Sequence, residues 1–132
     1  MEETAQGGWR PETERVAHRI IGCAIDVHRV LGPGFKERIY VQAVCLELHS
    51  SGLRFEREKE VAVPYKGWQI PGHRVDLIVE GVVLVELKAV PKIRRLHARQ
   101  IVSYLKATNL RLGLLINFNV QILKNGIRRV VR

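Results

Sequence analysis

The chain is poor in the residues that most often announce a cofactor or a covalent framework: two cysteines, one methionine and 6% aromatics. Cys23 and Cys45 are isolated within apolar-periodic segments, a setting for buried free thiols rather than for a disulfide or a metal pair. The five histidines, at 18, 28, 49, 73 and 97, have no zinc-site spacing. Neither a glycine-rich phosphate loop, a serine nucleophile elbow nor a cysteine–histidine pair is visible. No apolar run approaches the roughly 18 residues of a membrane span. The opening MEETAQGGWRPETE is polar and acidic, unlike a signal or transit peptide, so a cytoplasmic protein with no membrane partner is expected.

A further absence is positional. All 13 acidic residues lie at or before Glu86, beside 11 lysines and arginines; from Leu87 onward come 11 lysines and arginines and no acid. The overall charge of +9 therefore resides in the C-terminal part. Such one-signed charge favours a polyanionic partner, and nucleic acid is the obvious one; a merely solvated basic face is the plainer alternative.

What is present suits one globular domain. A chain of 132 residues, 46% hydrophobic, buries roughly 65 to 70% of its unfolded surface and needs no staples. Residues 1–12, with Gly7, Gly8 and Pro11, read as a flexible arm, and 13–132 as a single domain. Val16, Ile20, Ala24, Val27 and Leu31 recur at helical spacing until Gly32-Pro33-Gly34. Tyr40, Ala43, Val44 and Leu48 mark a second helix, ended by Ser50-Ser51-Gly52. FEREKEVAVPY reads as a strand, Lys66-Gly67 as a turn, Trp68–Ile70 as a short strand and Pro71-Gly72 as a break. RVDLIV and VVLVELKAV form a buried hairpin about Glu80-Gly81. IRRLHARQIVSYLKAT returns to helical period, LRLGLLINF is a buried strand, and Asn125-Gly126 predicts a final hairpin between QILK and IRRVV. This order predicts an α/β (α+β) fold, a sheet packed by helices.

The apolar hairpin carries Asp76, Glu86 and Lys88, and an ionised group taken out of water costs several kcal/mol unless something holds it. Glu86 and Lys88, two apart, share one strand face. With a two-residue loop, Asp76 would pair with Val85 and face away; a loop one residue longer, or a bulge, would set it across from Glu86. In that second register the carboxylates need a cation between them, and Mg²⁺ (or Mn²⁺) held by Asp76, Glu86 and the Leu87 backbone carbonyl would satisfy them. Lys88 would then stabilise developing negative charge. On the hairpin alone, a surface ion pair between Glu86 and Lys88 competes with this reading. Gln100 and Tyr104, four apart on the next helix, share a face that can reach the site, and Lys92, Arg94, Arg95, His97 and Arg99 ahead of them are candidate phosphate anchors. Trp9 and Trp68 could stack on bases, or cover a sheet edge.

The set Asp76, Glu86-Leu87-Lys88 and Gln100-x-x-x-Tyr104 resembles the PD-(D/E)XK nuclease superfamily, particularly its exonuclease-like branch. Gly34-x-x-Glu37-x-x-Tyr40 matches the signature of the superfamily's small GxxExxY proteins. The resemblance implies a restriction-endonuclease-like core, a central mixed β-sheet flanked by helices. It implies Asp76 and Glu86 as metal ligands, Glu37 as an additional acid holding the metal or its waters, Lys88 as catalytic lysine and Gln100 as an orienting group beside Tyr104. Tyr40 could face the same cleft or serve as a core aromatic. Where the superfamily carries a proline before the aspartate, this chain has Val75.

The function expected is metal-dependent phosphodiester hydrolysis on nucleic acid, DNA first. The alternatives are a non-catalytic nucleic-acid-binding module and a protein-interaction adaptor on the same fold. Nearly all residues belong to the core, so sequence specificity is expected from a partner protein or a second subunit.

Overall fold

The computed structural model describes residues 10–132; residues 1–9, with Trp9 and most of the expected arm, lie outside the described part. Helix α1 (Pro11–Leu31) starts five residues before Val16, the first of the periodic apolar set, and so takes in residues 11 and 12, which were expected in the arm. Pro11 is pre-organised for a first helical position, and Glu12 and Glu14 suit the positive end of the helix dipole. Helix α2 (Glu37–Ser50) follows the Gly32–Lys36 linker. Strands β1 (Phe55–Tyr65), β2 (Trp68–Val79) and β3 (Val83–Lys88) run antiparallel in succession. Helix α3 (Arg95–Thr108) then carries the chain to β4 (Leu112–Asn117), parallel to β3, and β5 (Ile127–Val131) closes the sheet antiparallel to β4. The result is a mixed sheet in the order β1-β2-β3-β4-β5.

The two faces are covered differently. Leu77, Val79, Val83, Val85, Leu87, Leu112, Leu114 and Ile116 meet α1 and α2, whereas Val75, Ile78, Leu84, Leu115 and Val130 meet Ile101, Tyr104 and Leu105 of α3. Strands β3 and β4 are thus buried on both faces, which is why they read as near-continuous apolar runs. Gly113 permits α3 to lie close, since a Cβ there would sit 2.7 Å from Ile101 Cγ2. Cys23 and Cys45 are buried free thiols. Among the described residues no helix is long and apolar enough to cross a membrane.

Two expectations need correction. Pro71-Gly72 does not break the strand: β2 is continuous, and the extra residue is absorbed where the register shifts opposite Val61 and Val63. Nor do QILK and IRRVV form a hairpin. Leu123–Gly126 is a short 3-10 turn, and β5 pairs with the open edge of β4. Neither Asn125 nor Gly126 has the positive φ that a two-residue hairpin turn requires.

Candidate active site

The loop between β2 and β3 fixes the site. Val79 pairs with Val83, so the loop contains Glu80, Gly81 and Val82, one residue more than the minimal turn. Glu80 and Gly81 take positive φ, and the Val82 N–H donates to the Val79 carbonyl. Continued from Leu77↔Val85, this register sets Asp76 across from Glu86 on the face shared with Leu84.

Regular pairing of the two strands stops there, and the carboxylates replace it. The Asp76 N–H donates to Glu86 Oε1 at 2.9 Å, and the Leu87 N–H donates to Asp76 Oδ2 at 2.8 Å. Each carboxylate therefore uses one oxygen on the opposite backbone, leaving Asp76 Oδ1 and Glu86 Oε2 directed elsewhere. Lys88 Nζ stands 4.0 Å from Glu86 Oε2. Glu86 is only 8% exposed, so this is not a surface ion pair.

Confinement shows in the protonation equilibria. Burial, then the Asp76 charge, pushes Glu86 up to about 7 against the pull of the Asp76 N–H and Lys88. Burial also raises Asp76, which the Leu87 N–H and Lys88 oppose. Glu37, half-buried at the start of α2, is raised by burial and feels both Lys88 and Asp76. Among the described residues no three His, Cys, Asp or Glu side chains converge as a ligand group. Asp76 and Glu86 form a two-carboxylate pair, and Glu37 acts on it through charge. The pair suits a hard cation: each carboxylate keeps one oxygen off the backbone donors, and the Asp76 charge adds to the burial that raises Glu86.

Tyr104 of α3 is buried over the same face; its hydroxyl is raised by burial and then by the Glu86 and Asp76 charges. Its ring meets His73 edge-on at 4.6 Å between centroids, with the hydroxyl 3.5 Å from His73 Nε2. Gln100 is exposed one turn earlier. Lys92, Arg94, Arg95 and Arg99 are exposed around the start of α3, where the free backbone N–H groups add positive potential. His97 has a structural duty there: its Nδ1 accepts the Arg94 N–H at 3.1 Å, capping the helix. Tyr40 is a core aromatic, stacked on Phe118 at 4.5 Å. Its hydroxyl donates to the Gly32 carbonyl at 2.5 Å and accepts the Phe35 N–H at 3.2 Å, pinning the linker ahead of Glu37.

Three contributors were not legible beforehand. Glu58 lies opposite Asp76 in the β1–β2 register, adopts φ +50° and adds to the charge raising Asp76. In the sequence it is one acid in the alternating run FEREKE. Asn117 staples the chain leaving Lys88: its side chain accepts the Val90 N–H at 3.0 Å and donates to the Val90 carbonyl at 2.9 Å. The third is His73, whose packing on Tyr104 no spacing rule anticipates.

The mixed sheet, helices on both faces and an aspartate paired with the glutamate of Glu-x-Lys describe a nuclease-type core. Residues 14–130 match the PD-(D/E)XK nuclease superfamily, and the chain belongs to it. No curated protein matches the chain. Among solved structures it is similar to an alkaline exonuclease (LHK-Exo) from Laribacter hongkongensis, at 12% identity and a TM-score of 0.47, over 90% of this chain and 81% of that one.

Proposed function

We propose that this protein is a divalent-metal-dependent nuclease, that DNA is its first substrate, and that it belongs to the GxxExxY group within the superfamily. The observation that carries the reading is the opposition of Asp76 and Glu86 across the strand end with Lys88 beside Glu86. Holding the buried Glu86 and the half-buried Asp76 together is costly for a fold that only binds.

Asp76, Glu86 and the Leu87 carbonyl would hold Mg²⁺ or Mn²⁺, with Glu37 acting on the ion's water shell. When bound, the ion supplies Lewis acidity, offsetting charge on the phosphate and making water more acidic. The residues do the rest. The Lys88 ammonium donates to a non-bridging phosphate oxygen and stabilises charge that grows as a water oxygen bonds to phosphorus. The P–O bond to the departing oxygen breaks, and that oxygen takes up the equivalent of the proton that the attacking water gives up. Gln100 orients the scissile phosphate, and Tyr104 packs against the pair and limits water entry. Lys92, Arg94, Arg95 and Arg99 hold neighbouring phosphates, positioning the strand without reading its sequence.

Labelled single-stranded DNA, duplex DNA and RNA, incubated with purified protein in Mg²⁺, Mn²⁺ or EDTA, test this directly. Cleavage that requires the metal and disappears in Asp76→Asn supports it. Absence of cleavage under every metal, with binding retained, favours a non-catalytic nucleic-acid-binding module.

A further inference from the structure

Beyond Val61 and Val75, which pack under α3, β1 and β2 leave the sheet as a two-stranded ribbon: every residue from 63 to 74 is exposed. The ribbon turns at Lys66 and Gly67, which take φ +48° and +84°, the two positive values of a turn whose twist matches the flanking strands. Tyr65 pairs with Trp68 and Val63 with Ile70, so strand alternation puts all four on one ribbon face. They are large, and among the described residues all four stay exposed; Trp68 is 72% exposed and Tyr65 54%. Lys66 Nζ lies over the Tyr65 ring, 5.4 Å from its centroid.

A soluble domain that keeps such a face uncovered has something to place on it. Charge narrows the choice. Residues 63–74 contain Lys66, His73 and Arg74 and no acid, and the whole chain carries +9, so a second copy would bring the same sign to the contact. Position narrows it further. The ribbon leaves the sheet at Val75, the residue before Asp76, and His73 at its root packs on Tyr104 above the carboxylate pair.

We infer that the ribbon 63–74 is a base-stacking arm, which holds unpaired nucleotides on Tyr65 and Trp68 as their backbone leads to the Asp76–Glu86 pair. Aromatic faces meet base faces, which are free in a single strand and hidden in a duplex. Val63 and Ile70 extend the apolar floor, and Lys66 and Arg74 meet phosphates. The inference rests on the nuclease reading for its direction, and it makes the substrate class a single strand, a frayed end or a flap.

The full chain carrying Trp9→Phe leaves Trp68 as its single tryptophan. Titrated in EDTA with an oligothymidine and with a blunt duplex of equal length, its emission is expected to be quenched, to saturation, by the single strand. Tyr65→Ala with Trp68→Ala should weaken single-strand binding by about 10- to 100-fold, within the range for losing one or two stacked bases. Duplex affinity and the melting temperature should stay those of the parent. Unquenched emission, or equal single-strand affinities of parent and double variant, overturns the arm. So does a parent dimer that the double variant converts to monomer without changing oligonucleotide affinity, which assigns the face to a second copy. Because no cleavage is required, an unaltered double variant in a cleaving protein removes the arm alone, and Trp68-dependent binding without cleavage removes the nuclease reading alone.

Discussion

Glu86 shows how one side chain joins fold to chemistry. Its pKa of about 7 lies above the ordinary 4.5, so between those values the folded chain holds a proton that the unfolded chain has released. Stability contributed by this group is therefore greatest at low pH and falls as pH rises from about 4.5 to about 7, by up to about 3 kcal/mol. Urea unfolding in EDTA should show this decline, and Glu86→Gln should flatten it across that window; equal pH dependence in both proteins contradicts the geometry. Tyr40 makes the contrasting case within the Gly-x-x-Glu-x-x-Tyr motif. Tyr40→Phe loses a hydroxyl with two backbone partners and should cost about 1–2 kcal/mol. Its single-turnover cleavage rate should match the parent, because the hydroxyl holds the Gly32–Phe35 linker rather than the reacting groups. A large loss of rate at full stability would place Tyr40 in the chemistry.

Among the elements, the loop Glu80-Gly81-Val82 decides most. One residue fewer would exchange the faces of Leu77 and Ile78 and turn Asp76 away from Glu86. The sequence left that register open, since Glu80-Gly81 alone reads as a two-residue turn and the left-handed backbone at Glu80 is a tertiary outcome. Helices α1, α2 and α3 and the buried strands were legible because periodicity records what each face must bury. The last hairpin was misread because Asn125-Gly126 is a local turn signal, while the open edge of β4 is a long-range partner that no local signal shows. Glu58 was missed because a charged, alternating run looks alike whether its residues face solvent or a site. The contact of α3 with β4 is tight enough to test: Gly113→Ala places a Cβ against Ile101 and should cost about 1–3 kcal/mol in urea unfolding, partly recovered by adding Ile101→Ala. No destabilisation would mean that α3 packs further from the sheet.

At the scale of the molecule, the charge division along the chain becomes a division in space. Helix α1 balances three acids with three arginines, whereas α3 on the other face carries Arg95, Arg99 and Lys106 and no acid. The carboxylate pair thus lies on the face of the sheet that the basic helix α3 covers. If about four phosphates are bound there, log affinity for duplex DNA should fall with log salt at a slope of about −3.6, and a slope near zero removes nucleic acid as the partner. In the proposed nuclease, the Asp76, Glu86 and Lys88 arrangement acts on the transition state and not only on bound strand. The most direct measurement is single-turnover cleavage and affinity, side by side, for the parent and Lys88→Ala in saturating Mg²⁺. Removing one of 22 basic side chains should barely weaken binding while slowing cleavage by about 10² to 10³. Cleavage by Lys88→Ala at the parental rate, or a loss of binding in step with the loss of rate, would contradict the account.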